Sequence, residues 1–165
     1  MRKGLITWFL LAIGATAWGQ GIPISRIAVP ENPTRQELYA STQLRNFLAQ
    51  GGVKVPTVET IGAEAPQRGT VYVGRAKQRP VVEPTTKDSY IIYGTGGCLF
   101  LYGEGEKGTL YAVYDFLERF GGCRYYAAHE VDIPDLRVLR IPDTMIFEQP
   151  AFEYREMLYY MPNHD

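Results

Sequence analysis

The stretch Gly108-Thr-Leu-Tyr-Ala-Val-Tyr-Asp-Phe-Leu-Glu-Arg-Phe-Gly-Gly-Cys-Arg-Tyr-Tyr126 leaves the chain little choice of local structure. Leu110, Val113, Tyr114, Leu117 and Phe120 recur at helical spacing and form one apolar stripe. Gly121 and Gly122 stand where a left-handed helix cap is needed. Arg124 to Tyr126 then reads as an aromatic strand. A short helix that buries one stripe and runs directly into a strand must dock on a sheet.

The remaining punctuation supplies that sheet. Ile22 to Val29 alternates like a strand and is broken by Pro30 and Pro33. Thr34 and Glu37 have capping-box spacing. They predict a helix to about Gln50 with Leu38, Ser41, Leu44, Phe47 and Leu48 inward, stopped by Gly51-Gly52. Val53 to Thr60 reads as a strand kinked at Pro56, and Gly69 to Gly74 as a compact strand. Arg75 to Thr86, polar with two prolines, reads as a loop. Asp88 to Tyr93 and Cys98 to Tyr102 form a hairpin across Gly94-Thr95-Gly96-Gly97. Arg137 to Ile141 is strand-like. The expected fold class is α+β: a mixed β-sheet with two helices packed on one face, followed by the start of a truncated (β/α) barrel.

Both ends differ from this middle. Met1-Arg2-Lys3 is basic, Leu5 to Ala17 is apolar, and small residues at Ala15, Ala17 and Gly19 offer cleavage sites. Residues 1–20 are therefore expected to be a signal peptide cleaved between Ala17 and Gly21. The apolar run is too short for a membrane span. The mature protein is expected in the periplasm or outside the cell, with no membrane partner after cleavage. Beyond Pro142 the chain turns aromatic and proline-punctuated. The expected division is an α+β domain over 21–142, then a linker and the start of a second domain over 143–165. The chain is thus expected to be the N-terminal part of a longer protein.

Composition excludes some functions. A net charge of −1 and a pI near 6.1, with no basic block, argue against nucleic acid. Two cysteines and two histidines, wrongly spaced, leave no metal site, and no cofactor is expected. In an oxidising compartment Cys98 and Cys123 are either a disulfide or two buried thiols. The 12 tyrosines suit sugar-stacking surfaces and half-buried strands alike.

Few motifs carry chemistry. Gly103-Glu-Gly-Glu-Lys-Gly108 matches G-x-G-x-x-G between a strand and a helix. However, Glu104 and Glu106 would repel a pyrophosphate, and the preceding strands form a hairpin, so a strand-to-helix loop is expected. No nucleophile elbow is present, and His129 and His164 have no recognisable partners. Asp115 and Glu118 share a helix face that reads as solvated, and Glu130 and Asp132 flank a turn. Neither is a convincing glycosidase pair, so no catalytic residue is assigned. Pro150-Ala-Phe-Glu-Tyr-Arg-Glu156 reads as a strand, and Arg155 carries a donor fork suited to sugar hydroxyls or to an ion pair.

Several of these segments carry a family resemblance. They are Glu37 to Leu44, Val71-Tyr-Val-Gly74, Gly108 to Glu118, Gly122-Cys-Arg-Tyr-Tyr126 and Pro150 to Arg155. Together they resemble the N-terminal domain of secreted bacterial domain-of-unknown-function 4838 proteins. That domain is similar to the N-terminal accessory domain of α-glucuronidases and family 20 β-hexosaminidases. The resemblance implies a non-catalytic unit packed on a downstream barrel that binds and cleaves carbohydrate. It places Arg155 at a sugar-binding position of the first barrel strand, with Glu156 where that family has Gly. The expected function is an accessory domain of an exported carbohydrate-active protein, a glycoside hydrolase by this resemblance. The alternative is a stand-alone glycan- or protein-binding module without catalysis.

Overall fold

The structure, a computed structural model, describes residues 21–54, 57–105, 107–127 and 130–149. A six-stranded mixed sheet forms its centre. The four parallel strands are β2 (Arg26–Pro30), β3 (Glu59–Ile61), β4 (Thr70–Val73) and β6 (Cys98–Gly103). The antiparallel strands are β5 (Tyr90–Thr95) and β10 (Thr144–Glu148), giving the order β10-β5-β6-β4-β2-β3. Helices α1 (Arg35–Gln50) and α2 (Gly108–Arg119) pack on the same face, so the α+β reading holds. Two small pairs lie outside this sheet. Strand β1 (Ile22–Pro23) pairs with β9 (Arg140–Ile141), and β7 (Arg124–Ala127) with β8 (Glu130–Asp132).

Local chemistry sets the element ends. Thr34 accepts the Glu37 N–H at 3.2 Å, while the Glu37 carboxylate accepts the Thr34 N–H at 2.8 Å. This closes the predicted capping box and satisfies amides that the first turn leaves unpaired. The hairpin turns on Gly96 and Gly97, at φ 56° and 80°, the positive pair that a two-residue turn requires. After α2, Gly122 takes φ 75° and the Cys123 N–H returns to the Leu117 carbonyl at 3.1 Å.

The helical face holds Ile27, Val29, Val71, Val73, Ile92, Leu99 and Leu101 under Leu44, Leu48, Val113, Phe116 and Leu117. The opposite face holds Ala28, Ile61, Tyr72, Ile91, Phe100 and Tyr102. Strands buried on both faces lose the polar alternation that would mark a side, which explains the continuous apolar run of β6.

Several expectations are corrected. The first strand splits in two around Ser25, whose N–H and hydroxyl both reach the Gly69 carbonyl. Only Glu59–Ile61 of the second strand joins the sheet. The strand-like 137–141 stretch is a 3-10 turn (Leu136–Val138) followed by β9. On α1, Leu38 is exposed, while Glu37 and Ala40 are buried. On α2 the buried stripe centres on Ala112, Val113, Phe116 and Leu117, and Leu110 and Tyr114 lie at its margin. Strand β10 extends the sheet through Glu148, past the boundary expected at 142. The cysteines are two buried free thiols. Cys98 belongs to the loop-covered cluster and Cys123 to the helical one, so the sheet separates them and the disulfide does not form. The expected barrel start lies outside the described residues.

Candidate functional site

In an open sheet with parallel strands, ligands favour the carboxyl ends where the connections diverge. Here that point lies between β2, which leads to β3 on one side, and β4, beside β6 on the other. The buried Glu37 carboxylate occupies it. One oxygen holds the Thr34 N–H, and the other accepts the Arg75 N–H at 2.7 Å. Gly74 sits beside it at φ 97°, and a Cβ there would fall 2.5 Å from Glu37 Cδ. Around this rim Arg75 pairs with Glu104 and Glu83, Arg79 with Glu83, and Lys77 with Glu31. The charges there neutralise one another and join the loops that leave β2, β4 and β6.

The glycines of the G-x-G-x-x-G stretch serve close backbone contact. A Cβ on Gly103 would fall 2.5 Å from Gly108 Cα and 2.7 Å from the Ser89 carbonyl. The Gly103 N–H donates to Thr109 Oγ1 at 3.1 Å, inside the same turn. Strand and helix backbones approach too closely here for a side chain at 103 or 108.

A second charged group lies where α2 meets β5 and β10. Arg119 donates to Asp115 at 2.6 Å and to Glu148 at 2.7 Å, linking the helix to the edge strand. These carboxylates hold the Arg119 guanidinium firmly charged, the Asp115 bond contributing most. Burial pushes the neighbouring Tyr90 phenol well above its ordinary range, and the Asp115 charge adds to it. Asp115 is therefore half-buried in a seam, not solvated as expected; its partner at i+3, Glu118, is exposed and lies near Arg124. No local sequence pattern marks this seam, because it exists only once β10 pairs with β5.

A surface groove of about 460 Å³ lies at the C-terminal end of α2, lined by Phe120, Asp135, Leu136, Val138 and Arg140. Hydrogen bonds from Arg137 hold the Asp135 carboxyl down at about 2, and Asp135 caps the 3-10 turn. Glu130 and Asp132 lie exposed on β8. Arg155, His129, His164 and Glu106 lie outside the described residues. Among the described residues no group of three potential metal ligands occurs, and no helix is long and apolar enough to cross a membrane.

No protein-family model matches the sequence, and no curated protein does. Among solved structures, one match is a GH138 enzyme targeting pectin rhamnogalacturonan II, at 12% identity and a TM-score of 0.47. The match covers 79% of this chain and 12% of that enzyme, so the chain spans about an eighth of its length.

Proposed function

We propose that this chain is the non-catalytic N-terminal accessory domain of an exported carbohydrate-active protein, a glycoside hydrolase whose chemistry lies in a following barrel. One observation carries the reading most directly. The carboxylates gathered at the strand ends and along the α2–β10 seam are engaged in holding the fold. Glu37 caps α1 and holds the turn that follows β4, Glu104 and Glu83 pair with Arg75, and Asp115 and Glu148 share Arg119. A glycosidase needs one carboxyl free to give a proton and another free to attack or to activate water.

The family resemblance supplies the class of substrate, and Arg155 supplies the test. In the full-length protein, Arg155→Lys is expected to weaken glycan binding about tenfold or more while the melting temperature stays nearly unchanged, because lysine keeps the charge and loses the planar fork. A large loss of stability with unchanged binding would make Arg155 an ion-pair residue at a domain junction and remove this support. Sequencing the exported protein is expected to give an N-terminus between Trp18 and Gly21. A mature chain beginning at Met1 would refute export by a cleaved leader.

A further inference from the structure

The two edges of the central sheet are finished differently. At one edge β3 is three residues long, and its Glu59 carboxylate accepts from Arg26 at 2.6 Å. A short, charged strand discourages further pairing. At the other edge, β10 runs in unbroken antiparallel register with β5 over all five of its residues. It holds no proline, no lysine and no bulge. Its outer backbone groups meet no strand among the described residues. We propose that β10 pairs antiparallel with β10 of a second copy of this chain, joining two six-stranded sheets across a twofold axis.

The side chains of β10 divide by face. Ile146 lies opposite Ile92 of β5 and packs, half-buried, against the helical cluster. Met145 and Phe147 lie on the other face, opposite Tyr93 and Ile91, and are 54% and 42% exposed. The loop over that face is tied down at Tyr102 of β6 and leaves both side chains to solvent. The strand itself is held in place at its end. Arg119 of α2 donates to Glu148 at 2.7 Å, and the Gln149 amide donates to Thr85 at 2.9 Å. An edge ordered in advance lowers the cost of pairing.

The sequence of β10 is complementary to itself. Antiparallel pairing centred on Ile146 sets Met145 opposite Phe147 of the second copy, and Phe147 opposite its Met145. Thr144 then meets Glu148, and Ile146 meets its own counterpart. Apolar side chains face apolar ones on the exposed face, and each carboxylate faces a hydroxyl and not another carboxylate. Neighbouring registers lose this match. A centre at Phe147 sets Met145 against Gln149 and Ile146 against Glu148, and a centre at Met145 sets Phe147 against Asp143. Pro142 and Pro150 are equidistant from Ile146 in the sequence, and proline cannot donate to a ladder, so pairing is confined between them. Complementarity of the strand with itself favours a second copy over a foreign strand. Self-pairing is independent of the carbohydrate role.

A joint of this length is at the small end of specific interfaces, so the expected Kd is on the order of 10 µM. The test is sedimentation velocity of the purified full chain over a concentration series that spans this value. Wild type should shift from monomer to dimer. Met145→Lys with Phe147→Lys sets lysines opposite one another and should weaken dimerisation at least tenfold. The melting temperature should stay within about 3 °C of wild type, because both side chains are exposed. Met145→Glu with Phe147→Lys sets opposite charges across the same register and should keep the Kd within about threefold of wild type. Hydrogen exchange of the wild-type chain reads the same pairing without a substitution: the β10 amides that face away from β5 should exchange more slowly in the dimer. A wild-type chain that stays monomeric at every concentration would overturn the proposal, whether the edge is bare or covered by the chain that follows it. So would a dimer that the double-lysine variant leaves intact, or β10 exchange that dimerisation does not change. Loss of the dimer in both double variants would contradict the register on which the pairing depends.

Discussion

The two faces of the central sheet are covered in different ways. Helices α1 and α2 lie over one face, placing Leu44, Leu48, Phe116 and Leu117 on Val29, Val73, Ile92 and Leu101. Loops lie over the other. Tyr72 stacks on Phe100 at 4.8 Å, the Tyr102 hydroxyl donates to the Val82 carbonyl at 2.8 Å, and the Arg79 guanidinium sits 6.0 Å from the Tyr102 ring. A helix covers a sheet with side chains alone, because its backbone bonds are internal. A loop brings unpaired backbone groups, so the strands beneath it carry tyrosines that bury a ring and still satisfy a carbonyl. Cohesion on the helical face is therefore apolar, and on the loop face partly polar.

This contrast predicts its own largest effect. Phe116→Ala should cost about 3–5 kcal/mol and Leu117→Ala about 2–5 kcal/mol in denaturant unfolding, through lost burial and a cavity under α2. Costs below about 1 kcal/mol at both sites would mean that the helices are not the main cover. The junction of the faces comes next. Gly103→Ala forces a methyl group against the backbone of Gly108 and Ser89 and should cost about 1–3 kcal/mol. An unchanged midpoint would show that strand and helix are not held in contact there.

On the loop face, Tyr102→Phe should cost about 0.5–1.5 kcal/mol near neutral pH, for one hydrogen bond. The same residue gives a pH test. Burial, with the Glu83 charge second, pushes the Tyr102 phenol up to about 12. In the unfolded chain it titrates near ~10. The native state keeps the proton longer, so this stabilisation is whole below about pH 10 and is lost as pH rises through about 12. The advantage of wild type over Tyr102→Phe should therefore shrink between about pH 10 and 12, at up to about 1.4 kcal/mol per pH unit. A constant difference over that window would show that the phenol is accessible to solvent. The smallest effect belongs to the exposed side of α2. Glu118→Ala should shift stability by about 0.5 kcal/mol or less, since its contact with Arg124 spans 3.7 Å at the surface.

What the sequence discloses follows the same division. Thr34 with Glu37, the Gly96-Gly97 turn and the Gly122 stop are local devices, and each stands where local chemistry puts it. The helical stripes were legible as periodicity but displaced. Leu38 is outside because Glu37, a polar residue, goes inside to serve the cap and the turn after β4. Periodicity counts hydrophobes and misses a buried carboxylate with three partners. The loop-covered face left no pattern, because its cover is a polar segment with no repeat. Strand β10 was hidden too, since Thr144 to Glu148 alternates only weakly and owes its place to pairing with β5. The Asp115–Arg119–Glu148 seam could not be foreseen without it.

Both faces bear on the proposed accessory role, in which the carboxylates paired at the strand ends and along the α2–β10 seam serve the fold. The most direct measurement is turnover of aryl glycosides and of soluble polysaccharides by the purified 165-residue chain, beside Asp115→Asn and Glu148→Gln. No release of aglycone or reducing ends above buffer is expected for any of the three, with both variants less stable than wild type through the loss of an Arg119 partner. Hydrolysis by the wild-type chain, abolished by either single substitution while the fold persists, would contradict the accessory role.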